Sequence, residues 1–141
     1  MKAERARLAR LQRLERVRDI AKQAAAAEAA QAEGTLAQLE SLAERTRQMA
    51  AEYAARIGVH DGASLRQLDS FARGLQGIST NTANDAANAR RIADFKLEAL
   101  GQAERRRAAV EERAERQSRA IARGSETPAL GTRRKTGTSL E

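Results

Sequence analysis

The chain has 141 residues, with 26 Lys and Arg against 19 Asp and Glu, for a formal charge of +7. Alanine alone supplies 32 residues, while Tyr53, Phe71 and Phe95 are the only aromatics, and cysteine and tryptophan are absent. This composition excludes a disulfide framework, a thiolate site, a histidine-rich metal site and a globular core filled by large side chains.

Alanine, arginine, glutamate, glutamine and leucine dominate, as they do in long helices rather than in sheets. Between Arg5 and Arg18 an arginine recurs every two or three residues. That spacing leaves no apolar stretch for a signal peptide. No run of about eighteen apolar residues offers a membrane span. The expected location is cytoplasmic.

The first predicted element runs from about residue 3 to 57. From its middle, Leu36, Leu39, Ala43, Thr46, Ala50, Tyr53 and Ile57 alternate steps of three and four, the heptad of a coiled coil. Gly58-Val59-His60-Asp61-Gly62 interrupts it. Gly58 suits the left-handed position after a helix end, and Ser64 with Gln67 has the form of a capping box.

The second element is predicted over 64–122. Leu65, Leu68, Ala72, Leu75, Ser79, Thr82, Ala86, Ala89, Ala93, Lys96, Leu100, Ala103, Arg107, Val110, Ala114, Gln117 and Ile121 keep one register. Phe71, Ile78 and Ile92 widen the stripe on one flank. Gly124 and Pro128 are expected to stop the helix, and 123–141 reads as a flexible, disordered basic tail.

Two arms of nearly equal length and a turn at 58–63 predict an all-α fold, a long antiparallel two-helix coiled-coil hairpin over 1–122. Folding about the turn pairs Tyr53 with Leu68, Ala50 with Ala72, Thr46 with Leu75 and Leu36 with Ala86. Further out it pairs Ala32 with Ala89, Leu11 with Val110 and Leu8 with Ala114. One geometry serves all of them.

Two stretches depart from the pattern. Gly74 to Asn88 is rich in glycine, serine, threonine and asparagine, which marks the softest part of the second arm, through polar tolerance or as a hinge or docking point. In the first arm the seam positions Glu15, Arg18 and Lys22 are charged, while Leu14, Val17, Ile20 and Ala21 lie beside them. Either the hairpin shifts register there, or these side chains face a second protein.

Catalytic constellations are missing. Gly74-Leu75-Gln76-Gly77 lacks the lysine and the preceding strand of a phosphate loop. His60 beside Asp61 has no nucleophile or second base, and Glu104, Arg105, Arg107 and Glu111 have the spacing of exposed intrahelical pairs. The expectation is a non-enzyme with no metal and no cofactor.

Charge is concentrated at the two ends of the sequence. Residues 1–22 hold eight basic and three acidic side chains, and 101–141 hold ten and six. A hairpin brings these segments together, so its basic end would steer towards an acidic surface. Nucleic acid is one candidate for a pI near 10.9, but the basic end lacks stacking aromatics and carries interleaved glutamates. An anionic membrane fits less well, because Arg, Glu and Leu are mixed around the helix. An acidic or polar protein cavity suits Leu14, Val17 and Ile20 among the arginines.

The opening Leu8-Ala9-Arg10-Leu11-Gln12-Arg13-Leu14, an alanine-rich helix, a short turn, the spacing Leu68-x-x-Phe71-x-x-x-Leu75-x-x-Ile78 and an arginine/glutamate run from Glu104 to Arg119 together resemble the FliJ family of flagellar type III export components. More loosely, they resemble the injectisome counterparts. The resemblance covers about residues 5–120. It implies a non-enzymatic coiled-coil stalk whose two-terminus end enters a hexameric export ATPase, with Arg10, Arg13, Leu14, Val17, Arg18, Arg113 and Arg116 at the matching positions.

It also implies a contact with the membrane export gate FlhA through Gln38, Leu42, Tyr53, Phe71 and Leu75, a role with export chaperones, and peripheral association with the inner-membrane apparatus. The polar Gly74–Asn88 stretch and the Gly124–Lys135 ending depart from the family pattern. Two other classes remain open: a basic nucleic-acid-associated coiled coil, and a structural coiled coil that self-associates through its alanine seam.

Overall fold

Helix-forming residues without an interior proline produce the first element, α1, at Lys2–Ala55. The second, α2, spans Gly62–Arg133. The computed structural model describes residues 1–56 and 62–133, with side chains described through Ser125. The fold is all-α, a hairpin of two helices packed against each other. The predicted turn, with Gly58 and His60, falls largely on 57–61, and the end of the basic tail on 134–141, outside the described residues.

The helices form two packed units, one from Met1–Ala25 with the chain from Leu100 onward, the other from Ala26–Ala99. We letter the heptads so that Ala29 and Ala32 of α1, and Ala93 and Lys96 of α2, are a and d. In the second unit the inward positions of α1 are Ala29, Ala32, Leu36, Leu39, Ala43, Thr46, Ala50 and Tyr53. All are buried or half-buried. Their counterparts from Leu68 to Lys96 on α2 follow the predicted register without a slip. Leu65 departs from it; it is exposed, and Ser64 takes the more sheltered place.

In the first unit the inward positions of α1 are Leu8, Leu11, Glu15, Arg18, Lys22 and Ala25, opposite Leu100, Ala103, Arg107, Val110, Ala114, Gln117 and Ile121. The charged Glu15, Arg18 and Lys22 therefore stay in the seam. There is no register shift that turns Leu14, Val17 and Ile20 inward. Long stems pack beneath charged heads, which lets Arg18 and Lys22 fill a seam position.

The seam is built from small side chains. Ala29, Ala50, Ala89, Ala93 and Ala114, with Leu75 and Val110, make up its buried apolar core. Alanine combines the best helix propensity with a short Cβ, so the helices approach closely while each contact covers little area.

Threonine interrupts this surface on both helices. Thr46 and Thr82 are buried with hydroxyls 3.4 Å apart. Thr46 Oγ1 donates to the Ala43 carbonyl at 3.0 Å, and Thr82 Oγ1 donates to the Ile78 carbonyl. Neither hydroxyl is stranded, which would cost about 1–3 kcal/mol.

Two cross-helix contacts reach further along α2 than the pairing read from the sequence, while Tyr53 with Leu68 and Ala32 with Ala89 line common grooves as paired. Thr46 lies against Thr82, and Tyr53 meets Phe71 edge-on. A knob faces a hole of four residues spread over two turns, and pairing by residue number selects only one corner of it.

Both expected boundaries of α2 move. The helix starts at Gly62, so Ser64 lies within its first turn instead of capping it. At the other end it passes Gly124 and Pro128 and continues to Arg133. A proline removes one amide donor from the ladder, here the partner of the Gly124 carbonyl, so the helix loses a rung without necessarily ending. Ser125 Oγ donates to the Ala122 carbonyl at 2.8 Å in the same turn.

The stretch expected to be soft, Gly74 to Asn88, is helical throughout. Among the described residues no glycine adopts positive φ. Gly34 has no atom within 4 Å of where a Cβ would sit. Gly34→Ala should therefore raise stability by about 0.5–1 kcal/mol, read as a higher urea midpoint with an unchanged slope.

Candidate partner-binding surfaces

An antiparallel pair has two flanks beside its seam, one formed by the g positions of both helices and the other by the e positions. The first unit illustrates both. Arg7 and Arg113, both g, line one groove together with Leu11, Arg116 and Gln117. On the other side Gln12 and Asp19, both e, line a groove with Glu15 and Arg107.

Charge separates across these flanks. Among the described residues of this unit, the g positions are Arg7, Leu14, Ala21, Arg106, Arg113 and Ala120, and none is acidic. The neighbouring c positions add Arg10, Val17, Arg116 and Arg123, again without an acid. Asp19, Glu104 and Glu111 occupy e positions instead. Asp19 is engaged there, with Oδ1 3.0 Å from Arg107 Nε and Oδ2 accepting from Gln23 Nε2 at 3.1 Å.

The Arg107 contact is an ion pair without hydrogen-bond alignment, since its buried Nε makes no directed bond. Arg18 Nε is likewise buried without a hydrogen-bond partner. That arginine belongs to the seam, although the family resemblance maps it to the partner surface.

The remaining residues mapped to an ATPase contact lie on the surface. Arg10, Arg13 and Arg113 are exposed, as is Arg116, which is ion-paired to Glu112. Leu14 is 36% exposed and Val17 59%, with Ile20 beyond them at 66%. Apolar side chains are thus presented to solvent on a face whose other described g and c positions are mostly arginine and alanine. The whole unit carries eighteen basic and nine acidic side chains by sequence, the other unit eight and ten.

The residues mapped to an export-gate contact all fall in the second unit and divide between surface and seam. Gln38 and Leu42 lie one turn apart on α1, both exposed. Tyr53 is half-buried, with its ring centroid 4.7 Å from that of Phe71 and the planes inclined at 65°. The Arg56 guanidinium lies 5.3 Å from the Tyr53 ring centroid. Leu75 is 8% exposed and serves the seam, with an edge on the open groove lined by Phe71 and Ile78.

Reading the sequence one arm at a time missed Arg7, Arg106 and Met49. Their signal appears only when the g positions of both arms are aligned. Elsewhere on the second unit Arg47 chelates Glu44 through Nη2 at 2.7 Å and Nε at 3.1 Å. These hydrogen bonds hold the Glu44 carboxyl below, and the Arg47 guanidinium above, their ordinary pKa values.

Among the described residues no group of three or more His, Asp or Glu is placed to hold a metal ion. None of the described helices is long and apolar enough to cross a membrane. Comparison with protein families, with curated proteins and with solved structures finds no match.

Proposed function

We propose that this chain is a non-enzymatic coiled-coil stalk or adaptor of a flagellar-type protein export apparatus. Its basic unit, which holds both ends of the sequence, engages a hexameric export ATPase at the cytoplasmic side of the inner membrane. The observation that carries this reading is the one-sided surface of the first unit. Leu14 and Val17 stand exposed on a flank whose described g and c positions include Arg7, Arg10, Arg106 and Arg113 and no acid, with Glu112 reaching it only as the ion-pair partner of Arg116.

Such a surface attracts an acidic rim from a distance and then places apolar side chains in the contact. The resemblance to the FliJ family supplies the identity of the ring. Contacts with the export gate and with chaperones belong to the same proposal.

The test is affinity capture from nuclease-treated lysate of a flagellated host, with bound proteins identified by mass spectrometry. A hexameric secretion ATPase should dominate the eluate. Partners that return only when nucleic acid is left intact, with binding that falls steeply as salt rises, would replace this reading by a nucleic-acid-associated coiled coil.

A further inference from the structure

The second unit has an exposed apolar flank that the proposed ATPase contact does not use. Its g positions present Leu42, Met49, Phe71, Ile78 and Ile92, each 40–54% exposed. The two helices share this flank, because Thr35 and Ile92, both g, line one groove. The opposite flank is polar, with Glu33, Glu40, Arg47 and Arg90 and an Arg90–Glu40 ion pair at 2.6 Å, although Leu97 is also exposed there.

The surface beside Phe71 and Ile78 is hollow. Ser70, Phe71, Gly74 and Ile78 line an open groove on α2. A Cβ on Gly74 or Gly77 would meet nothing within 4 Å. Each glycine costs a helix up to about 1 kcal/mol relative to alanine, and no packing within the hairpin requires it. A second helix lying close against α2 would give both the glycines and the exposed side chains a role.

We propose that the occupant is a second copy of this chain. Large side chains at 71 and 78 enclose small ones at 74 and 77, a pattern that is its own complement. A two-fold axis between positions 74 and 75 sets Phe71 of each copy beside Ile78 of the other, with the glycine backbones of both in the gap. Charge points the same way at the centre of the face: between Arg73 and Arg90 the only charged residue of α2 is Asp85, and near Ile92 the charged Glu28 and Lys96 are paired with each other at 3.1 Å. The five side chains present on the order of half of the roughly 800 Å² per partner that a stable interface covers, and the adjoining glycine, alanine and serine surface extends it. This inference rests on the second unit alone and is independent of the ATPase contact; it uses Leu42 and Phe71, which the export reading assigns to the gate, so self-association and a gate contact would compete for them.

Sedimentation equilibrium of the full chain should give a dimer that dissociates on dilution. Gly74→Gln with Gly77→Gln fills the hollow with good helix formers. It should keep the helical circular dichroism while weakening association at least tenfold, and Ile78→Lys should weaken it similarly. The chain has no cysteine, so Gly74→Cys provides a single reporter: it should form a disulfide between copies under mild oxidation, whereas Leu97→Cys on the other flank should not. A chain that stays monomeric at high concentration overturns the proposal, as does a dimer unaffected by these substitutions, which would place the interface elsewhere, for example at the alanine seam.

Discussion

Leu14→Asp combined with Val17→Asp is expected to weaken capture of the proposed partner, an export ATPase, by at least a hundredfold while leaving helical content unchanged. Both side chains point to solvent, at 36% and 59% exposure, so the substitutions open no cavity in the seam. The new carboxylates are well placed within the isolated helix. The one at 14 stands four residues before Arg18, and the one at 17 four after Arg13, spacings that stabilise a helix by about 0.2–0.5 kcal/mol each.

A partner, by contrast, loses two apolar anchors and meets negative charge within the basic flank. Truncation of central anchors commonly costs about 2 kcal/mol or more apiece, and repulsion from an acidic rim adds to it. The readouts are far-ultraviolet circular dichroism and a titration with purified ATPase. Unchanged affinity with helicity intact would remove Leu14 and Val17 from the contact. Reversing Arg7 and Arg106 to glutamate would then show whether charge alone carries it.

A second large effect is expected inside the hairpin, where Ala93→Leu should lower stability by about 1–3 kcal/mol. Ala93 is 1% exposed, the most completely covered apolar residue of the core, and Ala29 on α1 is 3% exposed. Three additional heavy atoms have no space unless the helices separate, and separation loosens the neighbouring small contacts with Ala89 and Ala32. Ala87→Leu, on the exposed side of the same helix, is the control and should change stability by less than about 0.5 kcal/mol. A urea midpoint that rises for Ala93→Leu would mean that the seam has unfilled room.

Steps of three and four made most of the fold legible in the sequence. They identified nearly every inward position of α2, including Ser79, Lys96, Arg107 and Gln117, which apolarity alone would have passed over. Glu15, Arg18 and Lys22 were harder to place, because leucine and valine beside them offer a stronger apolar signal than charged residues with packed stems. The hydroxyl pair of Thr46 and Thr82 was hidden because a hole spans two turns. The continuation of α2 past Pro128 was missed because proline's local preference outweighs the momentum of a formed helix only in some contexts.

The candidate surfaces were legible in part. Leu14, Val17 and the arginines stood out along α1, and Phe71 with Ile78 along α2. The absence of acids from one flank of the first unit could not be seen along either strand of sequence taken singly. It depends on Arg7 and Arg106 sharing a flank while Glu104 and Glu111 share the other. Leu75 follows the seam spacing of Leu68, Ala72 and Thr82 and is buried there, while the family resemblance also maps it to the gate contact.

The small side chains of the seam also set the thermal character of the protein. Unfolding exposes little apolar area for each residue released when the buried groups are mostly alanine, so the heat-capacity increment per residue falls below the ordinary value of about 12–15 cal/mol/K. A low increment flattens the dependence of stability on temperature. Cooling should accordingly do little to weaken the hairpin.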